Sequence, residues 1–170
     1  RVAAMLASGV LVAVVAATLW PGVGHVLLGG SLLVVVACLV RYDVARRTAT
    51  ASGLPRFVAW SLLAGYAWLA VAGALWLVLG AVSGPGYDAV VHAVFLGFTL
   101  AMIMAHAPIV LPAVLRRALP YHPAMWAPMA LLHTSLVLRL VGGDAHGATW
   151  ALQTGGTLNI TAVLGFLLVA

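Results

Sequence analysis

The chain has no lysine and no glutamate, a single cysteine (Cys38), and only three acids in 170 residues: Asp43, Asp88 and Asp144. One cysteine excludes an internal disulfide, a CxxCH haem attachment and an iron–sulfur cluster held by this chain alone, so any haem would be noncovalently held. Charged residues make up 6% of the chain, too few to keep a soluble domain in water. No nucleophile–base–acid set is legible, so no catalytic turnover is assigned. All eight basic residues are arginines, spread among separate loops rather than along one face, which argues against nucleic acid as a partner.

Apolar residues are abundant, at 65% of the chain. Read against turn signals, they form six runs at about 2 to 20, 25 to 40, 57 to 82, 89 to 115, 124 to 141 and 149 to 170. The breaks are PGVG, RYDVARRTATASGLPR, SGPGYD, RRALPYHP and GGDAHGA. Backbone groups in lipid must be paired within the segment, so each run is expected to be a helix. The expected fold is all-α: one polytopic transmembrane bundle over 1–170, with the lipid bilayer as its first partner. A start at Arg1 and an end inside an apolar run read as a piece of a longer chain, whose remainder is a second expected partner.

Arg1, Arg41, Arg46, Arg47, Arg56, Arg116 and Arg117 fall on one side of the six-span arrangement, and Asp88 and Asp144 in loops on the other. The positive-inside rule makes the arginine side cytoplasmic, in a bacterial inner membrane. Trp60 and Trp126 then lie near one interface, Trp20 and Trp150 near the other, as aromatic belts require. Arg139 is the exception, near the opposite end of the fifth run. It is expected to snorkel outward, with pairing to Asp144 or Asp88 as the alternative.

Histidines inside such runs are costly and are first read as functional. His106 and His133 are expected at similar depth on adjacent antiparallel helices, each with methionines on its face: Met102 beside His106, and Met125 and Met129 beside His133. Thioether with imidazole suits copper, and paired imidazoles suit haem. The alternative is that methionine fills gaps and His133 hydrogen-bonds to a neighbouring helix. His92 and His106 lie 14 residues apart, about 40° short of whole α-turns, and so are expected to share a face at separate depths. Pro108 and Pro112 suggest a kink beside His106 that would make room for a cofactor. His25 and His146 read as interfacial, and His122 as a loop residue.

The order GYAWL (Gly65–Leu69), HAVFLGF (His92–Phe98) with Met102 following, and LVLRL ending at Leu140 resembles the C-terminal part of the NnrS-like membrane proteins. It is more distantly similar to subunit I of haem-copper oxidases. The resemblance covers roughly 32–170 and implies haem and copper as cofactors, a role in nitric-oxide response or respiratory redox metabolism, and a redox partner. It carries over His92. It departs at Leu63, Ala64 and Cys38, where the family places histidines, and at LPAVLRR, which replaces a His-Thr-Gly-Arg turn. Candidate cofactor contacts are therefore His92, His106, His133, Tyr66 and Arg139, with Met102 and Met129 as further metal ligands. Two other classes remain: a transporter half, which needs intramembrane charge or broken helices, and a structural or assembly subunit without cofactor.

Overall fold

The structure, a computed structural model, describes residues 1–116 and 121–169. Its helices are α1 (Val2–Leu19), α2 (Pro21–Tyr42), the single turn α3 (Ala45–Thr48), α4 (Leu54–Leu79), α5 (Pro85–Leu115), α6 (Pro123–Ala145) and α7 (Thr149–Val169). All but α3 are long and apolar enough to cross a membrane, and no strand occurs among the described residues. The protein is thus an all-α, multi-pass membrane bundle. Part of the RRALPYHP break, including Arg117, lies outside the described residues.

The helices begin earlier than turn signals suggest because proline is tolerated in a first helical turn, where its missing N–H has no acceptor to satisfy. PGVG, expected as a break, is the first turn of α2, and the chain reverses at Trp20 alone. Pro85 and Pro123 open α5 and α6 in the same way. Asp88 and Asp144, expected in loops, consequently lie inside helices.

Consecutive long helices are neighbours in space, α1 against α2, α2 against α4, α4 against α5, α5 against α6 and α6 against α7. This up-and-down path gathers Arg1, Arg41, Arg46, Arg47, Arg56 and Arg116 at one end of the bundle, here called the arginine end. Phe57, Met104, Met125, Leu132 and Ala162 form the core there, and Ala72, Val90, Ala93, Leu136 and Leu140 form it toward the opposite end. α1 is held by α2 through Ala13, Ala17 and Leu28. At Gly24 a methyl group would lie 2.2 Å from the Ala17 nitrogen, so glycine is what allows this close crossing.

Two of the helices leave α geometry. Ala93–Thr99 in α5 and Leu138–Ala145 in α6 are π-helical, and the Thr99 hydroxyl donates to the Val94 carbonyl at 3.0 Å within the first. The first segment touches α4 along its length, and at Gly97 a methyl group would meet the Trp68 ring at 2.4 Å. The wide turn therefore seats an indole against backbone. The kink anticipated at Pro108 is not where α5 departs from regularity: the helix continues through Pro108 and Pro112, and Met104, Ala105 and Pro108 are packed inside.

Candidate functional site

The polar centre lies toward the end opposite the arginines, where α5, α6 and α7 meet. Asp88, in the first turn of α5, accepts a 2.7 Å charge-assisted bond from Arg139 Nη2 on α6, whose Nη1 donates to the Leu152 carbonyl on α7 at 3.2 Å. Gly155 makes room for this arginine: a methyl group there would lie 2.8 Å from Arg139 Cβ. Asp144 lies beside Asp88 in this centre, with its Oδ2 buried and without a hydrogen-bond partner. Arg139 therefore turns inward to a carboxylate instead of snorkelling. A paired guanidinium between three helices avoids the cost of a lone charge in lipid.

His92 belongs to the same cluster. Its Nδ1 lies 2.8 Å from the Asp88 carbonyl and 3.3 Å from the Asp88 carboxylate. Both partners are acceptors, so the neutral ring carries its proton on Nδ1 and leaves the Nε2 lone pair free. A carboxylate holding the far nitrogen of an imidazole is the arrangement that orients a metal-ligating histidine and raises its basicity.

The other histidines are sorted by their partners in the same way. His133 Nδ1 accepts from Trp68 Nε1–H at 3.0 Å. Indole N–H can only donate, so the His133 proton sits on Nε2, which is buried without an acceptor and has no lone pair to give a metal. His106 has its Nδ1 2.7 Å from the Met102 carbonyl, which frees Nε2, but the residue is exposed on the outer surface of α5. The two rings expected to face each other thus have different neighbours, and His92 and His106 do not share an inward face. The cause is the π turn between them: one extra residue in a turn rotates the rest of the helix by about 100°, which no α-period anticipates. His25 and His146 bond their own helix carbonyls through Nδ1, at 2.7 and 2.6 Å. His122 Nδ1 accepts from the Ala124 amide.

The remaining candidates have partners of their own. Tyr66 is buried and donates to Asp43 Oδ2 at 2.7 Å, while Asp43 Oδ1 accepts from the Ala45 amide, so this tyrosine ties α3 to α4 at the arginine end. Met129 Sδ accepts from the buried Ser61 hydroxyl at 2.9 Å. Met102 packs against Gly65 and the cluster of Val36, Tyr66 and Leu69. Among the described residues no three histidine, cysteine or acidic side chains converge as metal ligands.

For a haem, the imidazole held inside the bundle with a free Nε2 is that of His92, while His106 is exposed and the His133 proton occupies Nε2. Arg139 spends Nη2 on Asp88 and Nη1 on the Leu152 carbonyl, and its Nε–H is buried without a partner. Sequence reasoning missed Trp68 and Asp43. A signal for Trp68 existed in its mid-span position, far from either interface, where an indole N–H needs an acceptor. Asp43 left none, because it is reached only through the fold.

No curated protein and no solved structure matches the chain. A family model matches residues 1–170 from end to end. The chain belongs to the family described as a domain of unknown function, DUF8744.

Proposed function

We propose that the chain is a membrane haem-binding protein of the NnrS-like type, acting in nitric-oxide response or respiratory redox metabolism together with a redox partner and the remainder of a longer chain. The observation that supports this most is His92: a half-buried imidazole with a free Nε2 lone pair whose Nδ1 is held by both the carbonyl and the carboxylate of Asp88. Haem, when bound, supplies one-electron chemistry or binding of a diatomic gas at iron. His92 would hold the haem iron through Nε2, Asp88 would fix the tautomer and ring direction of His92, and Arg139 would balance the Asp88 charge. Copper has less support, since Met129 and Met102 are engaged on α4. The proposed setting is the bacterial cytoplasmic membrane, with the arginine end in the cytoplasm.

The test is an absorption spectrum of protein purified from haem-replete cells. A Soret band is expected that His92→Ala abolishes or shifts, with Asp88→Asn weakening haem binding about 10 to 100-fold. Absence of Soret absorption defeats the haem reading, and an unchanged spectrum in His92→Ala moves the ligand elsewhere.

A second reading, half of a multi-span transporter, is favoured by Asp88, Arg139 and Asp144 lying within helices and by the two π segments beside them. Protein without Soret absorption that carries ions or protons into proteoliposomes, and loses that flux in Asp144→Asn, would decide for it.

A further inference from the structure

We infer that a small polar pocket between α4 and the entry to α6, at the arginine end, holds a phosphate group, with Arg56 and the Tyr121 hydroxyl as its donors. The pocket has a volume of about 280 Å³ and is lined by Gly53, Arg56, Tyr121 and Trp126. Drug-sized ligands occupy about 300 to 1,000 Å³ and a water about 30 Å³, so the space suits one compact polar group. Its wall is preformed. Phe57 is fully buried and packs its ring edge-on against Trp126 at 5.6 Å and tilted against Tyr121 at 6.1 Å. Trp126 Nε1–H donates to the Tyr121 oxygen at 2.9 Å. Indole N–H can only donate, so the phenol oxygen is the acceptor in this bond and its own hydrogen remains to be given. Tyrosine and tryptophan are at home at the headgroup level of a bilayer, where one end of each ring is wet.

The hydrogen-bonding groups of the lining decide what it takes. The Gly53 carbonyl is spent on the Phe57 amide at 3.2 Å, and the Trp126 N–H and Tyr121 oxygen are spent on each other. The Tyr121 O–H and the Arg56 guanidinium are left, and both are donors. No acid lines the pocket: Asp43 accepts from Tyr66 and the Ala45 amide, and Asp88 and Asp144 belong to the opposite end. Among the described residues Arg56 forms no ion pair. Donors without an acceptor call for an anion with several oxygens, and the planar guanidinium fork matches phosphate through paired N–H groups. Basic pockets between membrane helices on the cytoplasmic side are where anionic headgroups bind. Two sources carry this chemistry, a lipid headgroup and free phosphate.

The experiment uses the intact protein in a neutral, phosphate-free detergent. One arm measures retention of phosphatidylglycerol and of diacylglycerol with the same acyl chains by native mass spectrometry; the other measures binding of radiolabelled orthophosphate by equilibrium dialysis. Phosphatidylglycerol retained over diacylglycerol identifies the headgroup as the source, and orthophosphate bound in the absence of lipid identifies free phosphate. In whichever arm binding occurs, Arg56→Gln should weaken it on the order of 10 to 100-fold, the loss expected for a hydrogen bond to a charged group. Arg56 is exposed, so this replacement leaves the packing intact. Arg56→Lys keeps the charge without the fork and should recover only part of the binding. Tyr121→Phe should weaken it about tenfold. Arg46→Gln removes the same charge from the same end but lies outside the pocket, and should leave binding unchanged. Equal retention of the two lipids with no orthophosphate bound would overturn the site. So would undiminished binding in Arg56→Gln and Tyr121→Phe, or an Arg46→Gln loss equal to that of Arg56→Gln, which is the mark of diffuse attraction to the arginine end. None of these readouts involves haem, so the outcome stands apart from that of the spectrum.

Discussion

Replacing Asp88 by asparagine removes the charge that Arg139 faces at 2.7 Å while leaving the shape of the site almost unchanged. Exposed ion pairs contribute about 0.5 kcal/mol, whereas removing one partner of a buried pair costs about 4 kcal/mol. The Asp88 side chain is 38% exposed and that of Arg139 17%, so the expected loss lies between these limits, at about 2 kcal/mol. Asp144 repels the Asp88 carboxylate, so neutralising Asp88 also relieves that repulsion and places Asp88→Asn toward the lower end. In Asp88→Asn/Arg139→Met the stranded cation is gone, and most of the loss should be recovered. Reversible unfolding in mixed micelles, run as a double-mutant cycle, measures the coupling. Simple addition of the two single losses would refute the pairing and return Arg139 to a snorkelling residue.

Gly97→Ala places a methyl group 2.4 Å from the Trp68 ring, so it should cost about 1 to 3 kcal/mol and change tryptophan emission; unchanged stability and emission would show that the π turn does not seat Trp68. Trp68→Phe leaves the His133 Nδ1 buried without its donor and should cost about 1 to 3 kcal/mol, whereas Trp68→Phe/His133→Phe should be milder; an equal or larger loss in the pair would refute their hydrogen bond. Reporters fused within 41–56 should be cytoplasmic and those at 83–88 or 142–148 on the opposite side, and a reversed pattern would invert the proposed orientation.

The spans were legible because hydrophobic run length and the bilayer's thickness are the same measurement. Turn chemistry was less so: proline and glycine at 21–24 read as a break, and only the acceptance of proline at a first turn makes them helical. His92 with Asp88 one turn before it could be recognised from spacing, since no irregularity separates them. His106 could not be placed, because the π turn intervenes and nothing in HAVFLGF announces one. Arg139 came with both possible partners named, but the choice between water and carboxylate depended on Gly155 admitting the side chain between α6 and α7, a matter of three-dimensional fit.

The π turn at Ala93–Thr99 also means that α5 carries two helical registers on one continuous rod. The wide turn takes up one residue beyond the α count, so the two halves keep their angular relation whether or not that residue is present. Deleting a single residue between Ala93 and Thr99 would tighten the turn to α geometry and leave everything beyond it on its present face, because the extra residue is what the wide turn absorbs. His106 would stay on the exposed surface, and Met104 would keep its buried place. A change of one residue, usually thought of as damage in a membrane span, is absorbed here: two chains whose α5 helices differ by one residue within this turn would present the same faces to the interior.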